Sequence, residues 1–531
     1  MKSSKFHLLL FGWLLVTFAC KKENDRPQWD VNILGPIANV SLGLNNLISD
    51  TIVHPDGTGL LQVLYDTTFS PVKLDSLYQL NDTTISTIVR FPGFPATLQP
   101  GITFVSNNNN ITLTPGDVEL KQSKIKSGFI RITIKNTVKS KVNFVYTIPK
   151  AKKNGIPFSI QTIVDSGSIS DPKYFTQDYD FSGYDIDMTG ANGSLVNAIY
   201  NNVNATSAGN VQFDVSANDT MVNLQSTLIA LKPSYVKGYL GQNTIHLNTT
   251  ETTGIGRLFR SGLIAIDSVR LQIDLINYIG ADGQAYFSSL RSINTLTGTS
   301  VDLMAPSMLN RFININRATE TGNITTPVIP FIKSFLLDKS NSNITDWVQN
   351  LPYQYTYDLK LNINPLGNIS GNNDFVYSDY LLSTRIQASM PLRIGANQLA
   401  LSDTFAFAIS NTTNFDRIGD AFITMVADNG FPFDMETQLY LIDASNTITD
   451  TLLVPGLIDA APVDGNLIVI QPKQTRIKIP INEQRKDHLL TAVKIGVRSY
   501  LNTANYPQLY PLYDRYRLNI KLIADGLYSI R

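Results

Sequence analysis

The sequence has a single cysteine, Cys20, among 531 residues. Without a second cysteine no disulfide framework can support the fold, so the domains must depend on ordinary hydrophobic cores. Charged residues are also scarce, at 16% of the chain against a usual value of about 25%. The 43 basic and 43 acidic residues balance, and no basic stripe with interleaved aromatic residues occurs. This composition argues against nucleic acid as a partner.

Histidine is rare as well, and no catalytic set can be assembled from the sequence. After residue 20 only His54, His246 and His488 remain, and no two of them have the spacing of zinc ligands on a common element. The strained G-x-S-x-G turn of many hydrolases is absent. We therefore expect a protein that is not an enzyme.

The hydrophobic run at the N-terminus is short. Leu8–Phe18 has eleven residues, whereas a helix needs about 20 apolar residues to span a bilayer. A basic start precedes this run, and the small Ala19 stands directly before Cys20. The pattern predicts a cleavable signal peptide at 1–19, lipidation of Cys20 through a thioether, and a polar lipidated tether at 20–28.

Two short segments at this site carry a family resemblance. Val16–Cys20 resembles the bacterial lipobox, although Thr17 stands where leucine is usual. Lys22–Asp25 is similar to the surface-export signal of Bacteroidota lipoproteins. The segments 26–37 and 429–443 also resemble large Bacteroidota lipoproteins that have no assigned activity. The resemblance implies a lipid-anchored protein of the outer membrane, at the cell surface or on the periplasmic face.

The mature chain has the pattern of an antiparallel β protein. In 127–150, alternating apolar residues on both sides of a turn led by Asn136 predict a β-hairpin. A strand, a turn led by Asn and a second strand recur at 267–287 and 419–442. The three copies predict tandem immunoglobulin-like β-sandwiches, and these strand units resemble those of late-embryogenesis-abundant proteins.

We divide the mature chain into three β domains, at 29–155, 156–325 and 326–531. Two short helices are expected as connectors, capped by Asn343 and Asn482. Because packed sandwiches and hollow rolls alternate in the same way, an elongated curved-sheet roll that binds lipid is the alternative fold.

Four aspartates form a candidate calcium site. Asp178, Asp180, Asp185 and Asp187 lie in a segment that begins like a calcium loop, but Thr189 stands where that loop has a bidentate glutamate. The other interpretation is a bent β-hairpin whose aspartates face water. Ca²⁺ is the single cofactor that the sequence suggests.

A second set of candidates resembles the O-glycosylation sites of Bacteroidota, in which Asp precedes Ser or Thr. Such pairs are also common in turns, where they bond their own backbone. The candidate acceptors are Thr51, Thr67, Ser76, Thr83, Thr220, Ser268 and Thr451.

These observations favour a non-enzymatic cell-envelope protein whose β domains serve adhesion, assembly, or polymer or glycan binding. The expected partners are the membrane, through the N-terminal lipid, and an envelope protein or glycan. A carrier of lipid or of another hydrophobic ligand is the alternative.

Overall fold

The computed structural model describes residues 29–43, 53–69, 82–91, 93–216, 219–253, 262–407 and 418–530. The predicted signal peptide, Cys20 and the tether at 20–28 lie outside the described residues. The described residues are mainly in antiparallel strands, which confirms the predicted fold class. None of the helices in this part of the chain has the length and apolar character that crossing a bilayer requires.

The strands are numbered in chain order. The first seventeen are β1 (Trp29–Gly43), β2 (Val53–Pro55), β3 (Leu61–Phe69), β4 (Thr83–Arg90), β5 (Ala96–Leu98), β6 (Thr103–Thr112), β7 (Glu119–Asn136), β8 (Val142–Lys153), β9 (Ile156–Val164), β10 (Lys173–Asp180), β11 (Asp185–Asp187), β12 (Ala198–Ser207), β13 (Phe213–Val215), β14 (Thr220–Tyr239), β15 (Asn243–Thr252), β16 (Leu263–Ile266) and β17 (Arg270–Asn277). The next nine are β18 (Gly283–Ile293), β19 (Ser300–Asp302), β20 (Phe312–Ile315), β21 (Thr319–Glu320), β22 (Val328–Ile329), β23 (Phe331–Leu337), β24 (Gln354–Ile363), β25 (Asp374–Tyr377) and β26 (Leu382–Pro391). The last nine are β27 (Arg393–Asn397), β28 (Leu399–Ala406), β29 (Ile418–Asn429), β30 (Asp434–Ile442), β31 (Ile448–Leu453), β32 (Lys473–Ile481), β33 (Lys494–Asn502), β34 (Tyr510–Pro511) and β35 (Arg517–Ile530).

Two short helices connect strands, as the sequence predicts. Helix α1 is Ile344–Gln349, and helix α2 is Glu483–Thr491. Asn482 caps α2, since its side chain accepts a hydrogen bond of 3.0 Å from the N–H of Arg485. Asn343 precedes α1 without a side-chain cap bond; its amide instead bonds the backbone around β19.

The strand pairing repeats one pattern three times along the chain. Each copy is a sandwich whose two sheets each contain a core of four antiparallel strands; the short strands β2 and β19 extend the two sheets of one copy. We name the copies by their nesting in the sequence. The inner sandwich has the strand orders β4-β14-β7-β10 and β6-β12-β8-β9; the middle sandwich has β3-β26-β17-β23 and β15-β24-β18-β20; the outer sandwich has β1-β35-β29-β32 and β28-β33-β30-β31. In the inner sandwich β11 pairs with both β7 and β8 and so joins the two sheets.

The sandwiches are nested rather than consecutive. The first strand of the outer sandwich is β1, that of the middle sandwich is β3, and the inner sandwich lies in sequence between β3 and β15. The chain divides into two compact units. One contains the outer sandwich and the other, at 64–253 and 268–390, contains the inner and middle sandwiches. The predicted boundaries after residues 155 and 325 both fall within this second unit.

The hairpin predicted at 127–150 is wrong, although the two strands and their buried faces are as expected. β7 pairs with β10, β11 and β14, and β8 pairs with β9, β11 and β12. The equivalent pairs, β17 with β18 and β29 with β30, lie in different sheets. The turn that Asn leads is therefore an arch that carries the chain from one sheet of a sandwich to the other.

A buried asparagine organises each arch. Asn136 is fully buried, and its side-chain oxygen accepts a bond of 3.0 Å from the N–H of Val138. Its side-chain nitrogen donates to the C=O of Ser140 at 3.0 Å and of Asp165 at 2.8 Å. The buried backbone of the arch thus has the partners that its polar groups require.

The same three bonds recur in the other two copies. They are Asn277 with Ile279, Ala281 and Asn316, at 3.0, 3.4 and 2.9 Å, and Asn429 with Phe431, Phe433 and Asp459, at 2.9 Å each. In every copy the third bond reaches a C=O about 30 to 40 residues further along the chain. The residue with that C=O directly follows a segment that pairs with the second strand of the arch. The identical bonding identifies the three sandwiches as copies of one structural unit.

The inner and middle sandwiches are joined around one carboxylate. Glu320 accepts hydrogen bonds from the hydroxyls of Tyr235 at 2.8 Å and Tyr377 at 3.1 Å, and Lys237 donates to its other oxygen at 2.8 Å. β25, which carries Tyr377, pairs with the end of β14, which carries Tyr235 and Lys237. Partial burial alone would raise the pKa of Glu320, but these hydrogen bonds outweigh it and lower that pKa.

Candidate functional site

In each sandwich, the strands named last in the two strand orders form one edge of the sandwich. In the inner sandwich these edge strands are β9 and β10, and aromatic rings fill the space between them. Phe158 lies at the centre, with ring centroids of Phe181 at 5.4 Å, Tyr184 at 5.7 Å, Tyr179 at 6.0 Å and Tyr146 at 6.4 Å. This edge is closed.

The outer sandwich covers the equivalent edge with a helix. α2 follows β32 and lies against β31. There the Arg485 guanidinium Nε is 3.4 Å from the Asp450 carboxylate, and Nδ1 of His488 is 3.7 Å from the same oxygen.

In the middle sandwich the edge between β20 and β23 is an open groove of about 510 Å³. We call it the edge groove. One wall is Arg311–Asn314, which includes the start of β20, and the other is Lys333–Leu336 of β23; Ser307 and Asn341 complete the lining. A cleft of this size with a few convergent polar groups is the usual form of a ligand site.

The walls follow from the strand pattern. Ile313 and Phe335 are buried and point between the two sheets, at 5% and 7% exposure. Their neighbours Phe312 and Leu336 are 55% and 47% exposed, because successive residues of a strand point to opposite faces. Phe312 packs against Tyr286, with ring centroids 5.1 Å apart. The groove therefore combines a rigid apolar floor with exposed apolar rims.

The groove is positively charged. Arg311 and Lys333 are both exposed, and neither has a carboxylate within 4.0 Å in the described part of this unit, where ion pairs involve other cations such as Arg317 and Arg385. The Lys333 ammonium is 6.0 Å from the centroid of the Phe335 ring. Two unpaired cations beside a polar cleft can bind carboxylate or phosphate groups.

One feature of the sequence indicates this site. In Phe331–Leu337, the residues of the inward face alternate as Phe331, Lys333, Phe335 and Leu337. A lysine in an otherwise apolar inward row indicates an edge that stays open to solvent. Arg311 has no such signal, because its position depends on the distant pairing of β20 with β18.

The four candidate calcium ligands each have protein partners. Arg131 donates two bonds to Asp178, and Ser182 bonds Asp180. Asp185 accepts a bond of 2.7 Å from Gln122, and Asp187 bonds Thr189 and lies 3.3 Å from Lys150. Among the described residues no group of three or more acidic, histidine or cysteine side chains could hold a metal ion.

The segment that carries these aspartates is not the bent hairpin of the alternative interpretation. β10 and β11 do not pair with each other; both pair with β7, β10 at Phe129–Asn136 and β11 at Gln122–Lys124. The residues between them make a break, at which Gly183 has φ +82°. Phe181, Ile186 and Met188 of this segment are buried.

The candidate O-glycosylation acceptors are spread over the fold. Thr51 and Ser76 lie outside the described residues. The other five are half-buried and are Thr67, Thr83, Thr220, Ser268 and Thr451. Several of the aspartates that directly precede these acceptors have hydrogen-bond partners. The Asp66 carboxylate, for example, accepts two hydrogen bonds from Arg385. Modification at these positions remains a prediction.

Comparisons with solved structures find distant likenesses. No family model matches the chain, and no curated protein matches it. A solved structure described as a "putative secreted protein" from Parabacteroides distasonis is similar at 15% identity with a TM-score of 0.29, over 53% of this chain and 82% of that one. The triple jelly roll of an archaeal virus turret is similar at 10% identity with a TM-score of 0.10, over 84% and 90% of the two chains. At these scores neither likeness is evidence of a shared function.

Proposed function

We propose that this chain is a non-enzymatic, lipid-anchored protein of the outer membrane that binds an extended anionic partner of the cell envelope in the edge groove. The observation that carries the proposal is the pair of cations, Arg311 and Lys333, which line the open edge groove. The equivalent edge is filled by aromatic rings in the inner sandwich and covered by α2 in the outer sandwich. The anchor is the lipid on Cys20, as the N-terminal sequence predicts.

The groove favours a polymer over a small ligand. It runs between two strand edges rather than into the interior, so an extended chain can pass along it. The exposed Phe312 and Leu336 at its rims offer apolar contact, and hydroxyl and amide side chains such as Ser307 and Asn341 offer hydrogen bonds. A lipid carrier would instead need an apolar cavity, whereas the pocket here has cations and amides in its lining.

Affinity electrophoresis tests the proposal. Purified protein is run in gels that contain polygalacturonate, polyglutamate or neutral dextran. We expect at least one anionic polymer to retard the wild type, and the Arg311→Glu/Lys333→Glu variant to lose that retardation. Dextran should retard neither protein.

A matched control separates a local site from net charge. The Lys139→Glu/Lys232→Glu variant makes the same change in charge at two exposed positions of the inner sandwich. It should be retarded like the wild type. If the control loses retardation to the same extent, binding depends on overall charge and the groove is not the site.

A further inference from the structure

We propose that the edge groove takes an extended acidic peptide segment, which adds to the middle sandwich as a strand beside β23. This inference rests on the proposed function and names the class of its partner. It predicts that recognition depends on backbone hydrogen bonds as well as on charge.

β23 is an edge strand of seven residues. Among the described strands it pairs with β17 alone. The C=O of Leu336 accepts a bond of 2.9 Å from the side chain of Asn341, which places Leu336 among the residues whose backbone groups point away from β17. In an antiparallel pair such residues alternate, so Ile332 and Ser334 present their N–H and C=O groups in the same direction.

These free groups match what an added strand requires. Seven residues of an extended strand span roughly 24 Å. Ile332 and Ser334 can each exchange backbone bonds with a partner, and Leu336 can donate its N–H, since its C=O is bonded to Asn341. Edge pairing of this kind gives affinity through the main chain and specificity through alternate side-chain pockets.

The side-chain lining sets the chemistry of the partner. One face of an added strand would contact the apolar floor at Ile313 and Phe335, and the same face would meet Arg311 and Lys333. Carboxylates on the partner would then pair with the two cations, with guanidinium suited to bidentate bonds. A segment that alternates apolar and acidic residues satisfies both requirements.

An inward lysine on an edge strand is also a common means of preventing unwanted strand pairing. If Lys333 has this role alone, it should disfavour every added strand, because each would bury the ammonium without a partner. If Lys333 belongs to a binding site, a strand that brings a carboxylate to it should bind, and a strand that brings a cation should not.

Isothermal titration with synthetic peptides distinguishes these cases. The probes are a capped eight-residue peptide that alternates Val with Glu, the same peptide with Lys in place of Glu, and the Glu peptide with alternate amides N-methylated. We expect binding of the Glu peptide to the wild type, and affinity at least about tenfold weaker for the other two. Equal binding of the Lys peptide would overturn the proposal.

Protein variants test the backbone contribution. Ser334→Pro removes an outward N–H, whereas Ser334→Ala keeps it and is the matched control. We expect the affinity of Ser334→Pro to be at least about tenfold lower than that of Ser334→Ala, and equal affinities would argue against a backbone contribution. If Ser334→Pro fails to fold, the N-methylated peptide carries the same test.

A glycan arm separates failure of this inference from failure of the proposed function. Oligogalacturonate is titrated into the wild type, Ser334→Pro and Arg311→Glu/Lys333→Glu. One possible result is that the peptide does not bind, whereas oligogalacturonate binds the wild type and Ser334→Pro equally and does not bind Arg311→Glu/Lys333→Glu. This result would overturn the peptide partner and would still support the proposed function. Binding of neither probe would contradict both.

Discussion

The side-chain amide of Asn277 donates a hydrogen bond of 2.9 Å to the backbone C=O of Asn316, 39 residues further along the chain. Equivalent bonds join Asn136 to Asp165 and Asn429 to Asp459. A single buried side chain thus ties the arch of each sandwich to the end of a later segment. This bond holds β20, which ends at Ile315, and so positions one wall of the edge groove.

Replacing the arch asparagine should destabilise its own sandwich. Asn136→Ala leaves the N–H of Val138 and two C=O groups without their partner, and each buried unsatisfied group costs about 1–3 kcal/mol. Hydrogen exchange resolved by residue is the measurement, because stability differs between regions of a chain this large. We expect faster exchange at Val138.

The other copies provide internal controls for this variant. Exchange at Phe431, which occupies the equivalent position in the outer sandwich, should be unchanged. Asn204→Ala, at an exposed position of β12, should leave exchange at Val138 as in the wild type. Unaltered exchange at Val138 in Asn136→Ala would show that the asparagine does not support the arch.

The sequence predicted the strands and their buried faces but not how they pair. Alternation in 127–150 identified Ile130, Ile132 and Ile134 as buried, and all three are. Whether β7 and β8 pair as a hairpin depends on the bond from Asn136 to Asp165, which no local pattern records. The nesting was hidden for the same reason, since the partner of β1 is β35, almost 500 residues away in the sequence. The edge groove could not be predicted for the same reason, because its walls form only when β20 has paired with β18 and β23 has paired with β17.

The joint around Glu320 should depend on pH. The pKa of this carboxyl is lowered in the folded protein from an ordinary value of 4.5. Its contribution to stability is therefore fully present above about pH 4.5 and is lost as the pH falls through the lower folded value. Glu320→Gln removes the charge and should lower the stability at pH 7 by about 1–3 kcal/mol.

Thermal melting of the wild type and Glu320→Gln, from pH 7 to pH 3, measures this dependence. We expect the difference in Tm between the two proteins to be largest at pH 7 and to shrink below pH 4.5. A difference that stays constant over the whole range would mean that the charge of Glu320 does not stabilise the joint.

Gly238 in β14 should not tolerate a side chain. Its φ is +151°, and a Cβ there would lie against the C=O of Glu119 and 2.7 Å from Cα of Leu120 on the paired strand β7. Gly238→Ala should therefore destabilise the inner sandwich by about 3 kcal/mol or more. Gly116→Ala is the control, because Gly116 also has a positive φ but has open space at its Cβ. It should cost about 1–2 kcal/mol; equal losses of Tm would argue against a clash at Gly238.

Cys20→Ala tests the proposed anchor. Because the lipid is expected to be the sole attachment, we expect the variant to move from the membrane fraction to the soluble fraction while keeping its β-sheet circular dichroism. Metabolic labelling with palmitate should mark the wild type and not the variant. Retention of Cys20→Ala in washed membranes would contradict lipid anchoring at this residue.

Hydrogen exchange at the edge groove measures whether a partner binds there as an added strand. The backbone amides of Ile332, Ser334 and Leu336 are followed with and without the capped Val-Glu peptide and with oligogalacturonate. We expect slower exchange at these three amides with the peptide, because they would donate to the added strand. We expect no change at β10 of the inner sandwich, whose edge Phe158 closes. Exchange at β23 that neither anionic partner alters would contradict the claim that this groove is the binding site.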